Sequence, residues 1–538
     1  MSKKYSSRVK NILIPCCFFS ILTGIITGAI IFLFRISAEL VIHQSDNVFG
    51  FVREHPVFLP LLILGAAILG AIAYFIIKLF PNSRGGDAQT TITSLRGFIP
   101  LRWIQNTVVL FFSSLITYFS GVTLGEEGTS VQMGAAVGKG TVNTFAKKRY
   151  RRAWERYIMT GGACGGFAAV TCAPLTAILF AFDEAHRKFS PILFMSTSTA
   201  VLASWSVMQG LCSVFSVEPR LFVLNTPDVL PIELLWAPII VGALCGGLAI
   251  LYAKGYKKTE DFLNKTLKKV PLFAKFIGVF VITAIFGFAT SHLIGSGHNI
   301  IHDLFEGHAP VWYMLLLYLV IRSVMLLLSA ALEIAGGLSV PAMAVGAMIG
   351  SLCAQALTAM NIFSAEYTPI LVIVGVASFM AATNRAPLNA ITFACEALFG
   401  FTNLISIAIG VAVSFIVIEP LGVTAFSDVI IEEKIHDYYH GKEVHTVDVH
   451  MTVRTNSFIM GKEIRDILWP ANCAVVSVNK LHVGHLAIET GDILHIRYKT
   501  IDPEETYAIL ESIVGRQKGE TDMHDVHQGD ENYTIPEQ

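Results

Sequence analysis

Charge is what this sequence of 538 residues has least of. Asp, Glu, Lys and Arg make up 15% of it, against 53% hydrophobic residues, and mean hydropathy is +0.60. That balance excludes a soluble enzyme around a large core and implies a chain that crosses a membrane repeatedly. A net charge of −1 offers no global attraction to nucleic acid. The nine cysteines include no C-x-x-C pair and no histidine at ligand spacing, so neither a disulfide framework nor a metal site is indicated, and they read as small buried hydrophobes. No nucleophile–base set and no cofactor motif stand out, which argues against an enzyme. A cleavable signal peptide is also missing, because the apolar run from Ile12 outlasts a signal core. The Lys3, Lys4, Arg8 and Lys10 cluster ahead of that run places the N-terminus in the cytoplasm.

What is present is a series of apolar runs near the roughly 20 residues a bilayer crossing needs: 12–33, 59–79, 104–119, 191–211, 234–251, 273–293, 311–328, 367–380 and 404–417. Between them lie apolar but Gly- and Pro-interrupted stretches at 121–140, 161–183, 336–350 and 381–396. Irregular backbone at membrane depth persists only where protein buries it or where it lines a cavity. The interrupted stretches repeat. Ala168 through Ile178 matches Ala381 through Ile391, with a shared Ala-Pro-Leu; Phe180 then pairs with Phe393 and Asp183 with Glu396. Upstream, Gly125-Glu126-Glu127-Gly128 faces Gly336-Gly337-Leu338-Ser339. Interrupted helices at corresponding places in two halves point to a transporter's midplane site. The lysines between 254 and 269 mark one cytoplasmic loop, while the basic run 147–156 flanks re-entrant segments and stays unassigned.

Two carboxylates, Glu126 and Glu127, sit in what reads as membrane interior. An ionisable side chain there costs about 3 kcal/mol on insertion scales, so it marks a cavity or a transport path. The Thr129-to-Gly140 stretch predicts a helix whose N-terminal N–H groups face the region of Glu127. A carboxylate at an anion-attracting helix end suggests exchange of one negative charge for another.

Beyond about residue 435 the chain reads as a small α/β module, with strands at 447–453, 474–478 and 493–498, a helix over 502–514 opened by Asp502-Pro503, and an acidic tail at 519–538 expected to be disordered. His436, His440, His445 and His450 lie at no clean ligand spacing and read as a solvated linker.

These motifs resemble those of the CLC family of chloride channels and proton-coupled anion exchangers, over roughly residues 8–435. Gly125-Glu126-Glu127-Gly128-Thr129 is similar to the family's G-[KR]-E-G-P, Gly336 through Pro341 to G-G-x-F-x-P, and Cys172-Ala173-Pro174-Leu175, running to Asp183-Glu184, to the N-A-P-L helix ending in paired carboxylates. The resemblance implies an all-α polytopic fold with an inverted repeat, a homodimer, Glu127 as external gate and Glu184 as internal proton-transfer residue. It implies an anion site made by Gly86, Gly128, Thr129, Gly337, Leu338, Ser339 and Phe426. Several of these depart from the pattern: Gly86 stands for the anion-binding serine, Phe426 for the central tyrosine, Thr129 for proline, Ser339 for phenylalanine, and Glu126 for a basic residue. Asp87 adds an unexpected negative charge, which Arg84 could offset unless both are interfacial. His298, in a Gly295-Ser296-Gly297 turn that corresponds to the missing first-half turn, reads as an interfacial or loop histidine.

The implied activity is antiport of a monovalent anion, chloride by default, against protons. A passive channel, or fluoride, nitrate or bicarbonate as the anion, stays open, and a cation channel is disfavoured for want of a T-V-G-Y-G filter. The C-terminal module, at 436–518, resembles the TrkA-C-like domain of bacterial ion transporters through 457–466 and 489–494. That resemblance implies a regulatory part with a possible small ligand, on a chain of the bacterial inner membrane.

Overall fold

The computed structural model describes residues 14–517, apart from 147, 223, 225–226, 456, 480 and 483–486, together with 524–525. The basic residues Lys3, Lys4, Arg8 and Lys10 and most of the acidic tail lie outside the described residues. Helices α1 (Ile14–Glu54), α2 (Leu59–Leu79), α3 (Ala88–Leu95), α4 (Trp103–Phe119), α5 (Glu127–Phe145), α6 (Lys148–Thr171), α7 (Pro174–Leu179) and α8 (Pro191–Phe215) form the first half. The second half follows the same order of long and short helices: α9 (Trp236–Asp261), α10 (Leu272–Ala289), α11 (His298–Phe305), α12 (Trp312–Ala331), α13 (Ser339–Ala359), α14 (Thr368–Asn384), α15 (Pro387–Ala397) and α16 (Leu404–Ile418). Helix α17 (Phe426–Tyr439) then leads out. Among the described residues, nine helical stretches are long and apolar enough to cross a membrane.

The interruptions are narrower than the Gly-rich sequence suggests. Helix α6 runs unbroken through Gly161, Gly162, Gly165 and Gly166, and α13 through Gly346 and Gly350. The chain breaks instead at Cys172 and Arg385, both left-handed at φ 57° and 56°, the very positions that the repeat equates. The mid-helix glycines serve packing. A Cβ on Gly134 of α5 would stand 2.1 Å from the Gly162 carbonyl oxygen of α6, and one on Gly346 of α13 would stand 2.3 Å from that of Gly375 in α14. Lipid is as apolar as leucine, so close backbone approach replaces the hydrophobic effect in holding membrane helices together. The same crossing built twice is the repeat in three dimensions.

A second repeat-related pair ties the halves to each other. Asp183 Oδ2 accepts a hydrogen bond from the Asn389 N–H at the start of α15, 2.9 Å away. Reciprocally, Glu396 accepts from the N–H groups of Leu175 and Thr176 at the start of α7, at 3.0 and 2.7 Å. Each acid satisfies donors that a helix N-terminus cannot satisfy within itself.

The C-terminal module is an antiparallel sheet of order β3-β2-β4-β1-β5, comprising β1 (His445–Thr452), β2 (Cys473–Val478), β3 (Leu481–His482), β4 (Ile493–Thr500) and β5 (His524–Asp525). Helix α18 (Pro503–Val514) follows β4, capped by Asp502, whose carboxylate accepts from the Glu505 N–H at 2.9 Å. Residues 524–525 of the tail expected to be disordered pair with Val447 and Asp448. Phe458 packs edge-on against Trp154 of α6 at 5.0 Å. Tyr157 of α6 donates to the Asp466 carbonyl at 3.1 Å and accepts from the Leu468 N–H at 2.9 Å. Arg156, which donates to the Trp469 carbonyl, therefore lies on the module's side.

Candidate functional site

Three loops that lead into helices meet at one point. Gly85 and Gly86 precede α3, Gly125 precedes α5, and Gly336 and Gly337 precede α13. Gly125 and Gly337 exchange backbone hydrogen bonds at 2.8 and 2.6 Å, and the Gly336 N–H donates to Gly85 at 2.9 Å. The contact leaves no room for a Cβ: one on Gly128 would stand 2.8 Å from the Gly86 carbonyl oxygen and 2.9 Å from Gly337 Cα. Glycine brings the N-terminal ends of α3, α5 and α13 together, an arrangement whose free N–H groups attract an anion.

The carboxylate of Glu127, the first residue of α5, belongs to this junction. The residue is 1% exposed, and neither carboxylate oxygen has a hydrogen-bond partner. The side chain folds back over Gly125, where a Cβ would stand 2.5 Å from Oε2, and the carboxylate lies close to the Val340 backbone N–H in the first turn of α13.

Above it is His298, whose Nε2 is 3.6 Å from Glu127 Oε1. Its Nδ1 is 2.7 Å from the Ser296 hydroxyl, and its ring packs on Phe222 at 5.1 Å. The sequence reading of His298 as an interfacial or loop residue is thus corrected: it opens α11 against the Glu127 carboxylate. The Gly295-Ser296-Gly297 turn was the available signal, since Gly295 and Gly297 carry φ values of 69° and 105°, as Gly85 and Gly86 carry 79° and 98°. Glu126, Glu127 and His298 could each present one ligand atom within 4.8 Å of the others. A Cβ on Gly297 would stand 2.7 Å from a guanidinium nitrogen of Arg322, and this neighbouring positive charge disfavours a metal cation there.

The remaining sequence-derived residues divide. Gly86 and Gly337 line the junction. Leu338 is 4% exposed and caps α13, which Ser339 begins. The Thr129 hydroxyl donates to the Gly86 carbonyl at 3.3 Å, so it staples α5 to the loop before α3. Tyr118, which no sequence signal marked, donates to the Gly125 carbonyl at 2.8 Å. Phe426 is buried, edge-on to Tyr252 and Tyr256 at 5.8 and 5.9 Å. Gly86, at φ 98°, occupies a conformation that serine rarely adopts, which accounts for glycine there.

The charge of Asp87 is met, though not by Arg84. Asp87 caps α3 by accepting from the Thr90 N–H, and Lys434 Nζ on α17 lies 3.8 Å from its Oδ2. Lys434 also bonds Glu333 at 2.7 Å, with Arg84 3.8 Å from the same carboxylate. The two acids and two cations balance.

On the module's side, a π-helical turn at Phe180–Ala185 extends α7 and presents Glu184. Glu184 is 3% exposed, and its Oε2 accepts from Asn389 Nδ2 at 3.1 Å. The adjacent Asp183 is occupied in capping α15, so the paired carboxylates have separate tasks. Asn389 was legible only as the repeat partner of Thr176.

Residues 69–419 match the family model described as voltage gated chloride channel. The chain is 26% identical over 390 residues to the H(+)/Cl(-) exchange transporter ClcA of Klebsiella pneumoniae, an alignment covering 70% of this chain and 80% of the relative. It is 27% identical over 391 residues to ClcA of Salmonella paratyphi A, with the same coverage. Among solved structures, it is similar to a slow cyanobacterial Cl-/H+ antiporter at a TM-score of 0.70 and 20% identity, covering 78% of this chain and 98% of that one. It is also similar to a CLC-type fluoride/proton antiporter at 0.62 and 19%, with the same coverage.

Proposed function

We propose, from the premise that this chain belongs to the voltage gated chloride channel (CLC) family, that it exchanges a monovalent anion for protons across a membrane, chloride being the anion its curated relatives' names carry. It is a transporter, not an enzyme. The observation that carries the reading is the buried Glu127 carboxylate, held without a hydrogen-bond partner where three helix N-termini meet. An anion and a carboxylate 4 Å apart repel by about 4 kcal/mol at an effective dielectric of about 20, close to a thousandfold in occupancy. Anion entry and the charged Glu127 therefore exclude each other, and protonation frees the side chain to leave. Gly86, Gly128, Gly337, Leu338 and Ser339 hold the anion through backbone N–H groups, with Thr129 and Phe426 shaping its walls. Glu184, buried on the module's side, exchanges the proton with the cytoplasm.

The working assembly is a homodimer in the bacterial inner membrane, with both termini cytoplasmic. Residues 1–435 form the transport domain and 436–518 a TrkA-C-like regulatory module, ahead of the acidic tail at 519–538. Arg156 and Lys188, both bonded to the module, support that orientation. Flux in proteoliposomes tests the reading: a chloride gradient drives uphill proton movement. Wild-type protein that moves no protons under chloride, fluoride, nitrate or bicarbonate gradients refutes it. A fluoride/proton antiporter shares the fold, and the same assay ranks the anions.

A further inference from the structure

A cavity of about 660 Å³ lies between the membrane helices and the C-terminal module. Its wall carries Arg96 at the end of α3, Arg156 on α6, Arg187 and Lys188 ahead of α8, and Arg385 after α14, opposed by Asp428 and Glu432 on α17. Ala471 and Asn472, just before β2, contribute the module's side. Two of the cations meet carboxylates: Arg187 bonds Asp428 at 2.8 Å and Arg385 bonds Glu419 at 2.6 Å.

The other three are held by neutral backbone oxygens. Arg96 donates to Ala185 and Glu184 at 2.8 and 3.2 Å, Arg156 to Leu95 at 2.8 Å and to Trp469, and Lys188 to Ile467 at 3.2 Å. Carbonyl acceptors fix the direction of a cation without cancelling its charge. Positive groups converging on a recess concentrate anions there, and arginine's planar fork suits phosphate. The volume is that of a small-molecule site, of about 300–1,000 Å³, far beyond what a halide needs. Moreover, Arg156 and Lys188 grip the module itself, through the Trp469 and Ile467 carbonyls. Whatever draws these two side chains into the cavity competes with that grip.

We propose that this cavity binds a multiply charged phosphate, carried either by a soluble nucleotide-like molecule or by a lipid headgroup, and that its occupancy loosens the module's hold on α6 and thereby regulates transport. The regulatory half rests on the transport reading above; the binding half does not.

Calorimetric titration of inorganic triphosphate into the purified full-length protein tests binding without any flux measurement. Saturable binding is expected, weakened about tenfold or more in Lys188→Gln/Arg385→Gln and unchanged in Lys268→Gln, which lies outside the cavity. Equal binding in the double variant overturns the site. Binding abolished by chloride at constant ionic strength also overturns it, because the cavity is then an antechamber for the transported ion. Chloride efflux with triphosphate on the module's side should change in the wild type and not in the double variant. Intact binding with unchanged efflux overturns the regulatory half. Vesicles containing phosphatidylinositol phosphates, compared with phosphatidylglycerol vesicles lacking or containing triphosphate, tell a lipid source from a soluble one.

Discussion

His298 Nε2 stands 3.6 Å from Glu127 Oε1, so the second half of the chain reaches across and faces the buried carboxylate carried by the first. The Ser296 hydroxyl holds the opposite ring nitrogen at 2.7 Å and so fixes the ring's aim. At this separation the contact is a charge-to-dipole or charge-to-charge interaction, and its sign follows the protonation of both partners.

For this pair, His298→Ala is expected to keep chloride and proton flux coupled while shifting the dependence of flux on external pH by about one unit, the size of a ~1.4 kcal/mol interaction. The internal-pH profile should stay put. Liposomes with pH varied separately on each side check this, and a variant with both profiles unaltered removes His298 from the gate.

Glu127→Gln should leave anion flux running and abolish proton coupling, since the amide can neither carry a proton across nor repel the anion. Recording chloride and proton fluxes on one preparation makes the comparison direct.

Glu184 and Asp183 are expected to separate cleanly. Glu184→Gln stops proton flux and spares anion flux. Asp183→Ala removes the cap at Asn389, lowering stability by about 0.5–2 kcal/mol with the proton-to-anion ratio intact. Thermal unfolding in detergent paired with flux ratios distinguishes loss of a cap from loss of a relay.

Gly128→Ala is expected to be far more damaging than its single added methyl suggests. Its Cβ would meet Asp87 Cα and the Gly86 carbonyl oxygen, both at 2.8 Å, and backbone cannot yield as a side chain end can. Folded yield should fall sharply, whereas Gly247→Ala, with nothing within 4 Å of its Cβ, should behave as wild type.

In the module, Asp448 accepts from Arg497 at 2.8–3.1 Å and lies 3.2 Å from His495 Nε2. Burial alone would raise its carboxyl, but the Arg497 and His495 partners outweigh it and hold it below its ordinary value. A lowered folded-state value gives stability that is complete above the unfolded carboxyl's value, about 3.9, and lost as pH falls through the folded one. Exchange protection of β1 and β4 amides in the full chain should therefore decline below about pH 4, and Asp448→Asn should start lower and lack this step.

Much of the architecture was legible because membrane crossings leave long apolar runs and the repeat left matched motifs. The breaks were misplaced where glycine was read as interruption: Gly162 and Gly346 are contact surfaces, and sequence shows a missing side chain without showing what fills its space. In the site, Glu127 and Glu184 stood out because carboxylates are rare among apolar residues. Tyr118, Asn389 and Lys434 did not, since a tyrosine, an asparagine or a helix-end lysine has many ordinary uses.

By itself, the sequence determined that the chain is a polytopic membrane protein with two related halves, a small C-terminal α/β module and two costly acids in apolar surroundings. Periodicity, hydropathy and motif order are local properties, and a string of residues carries them intact. Only the tertiary structure decided which atoms those acids face. His298 lies far from Glu127 in sequence, as does Asn389 from Glu184 and Lys434 from Asp87. Their meeting depends on how the two halves cross through glycine contacts, which no window of residues contains.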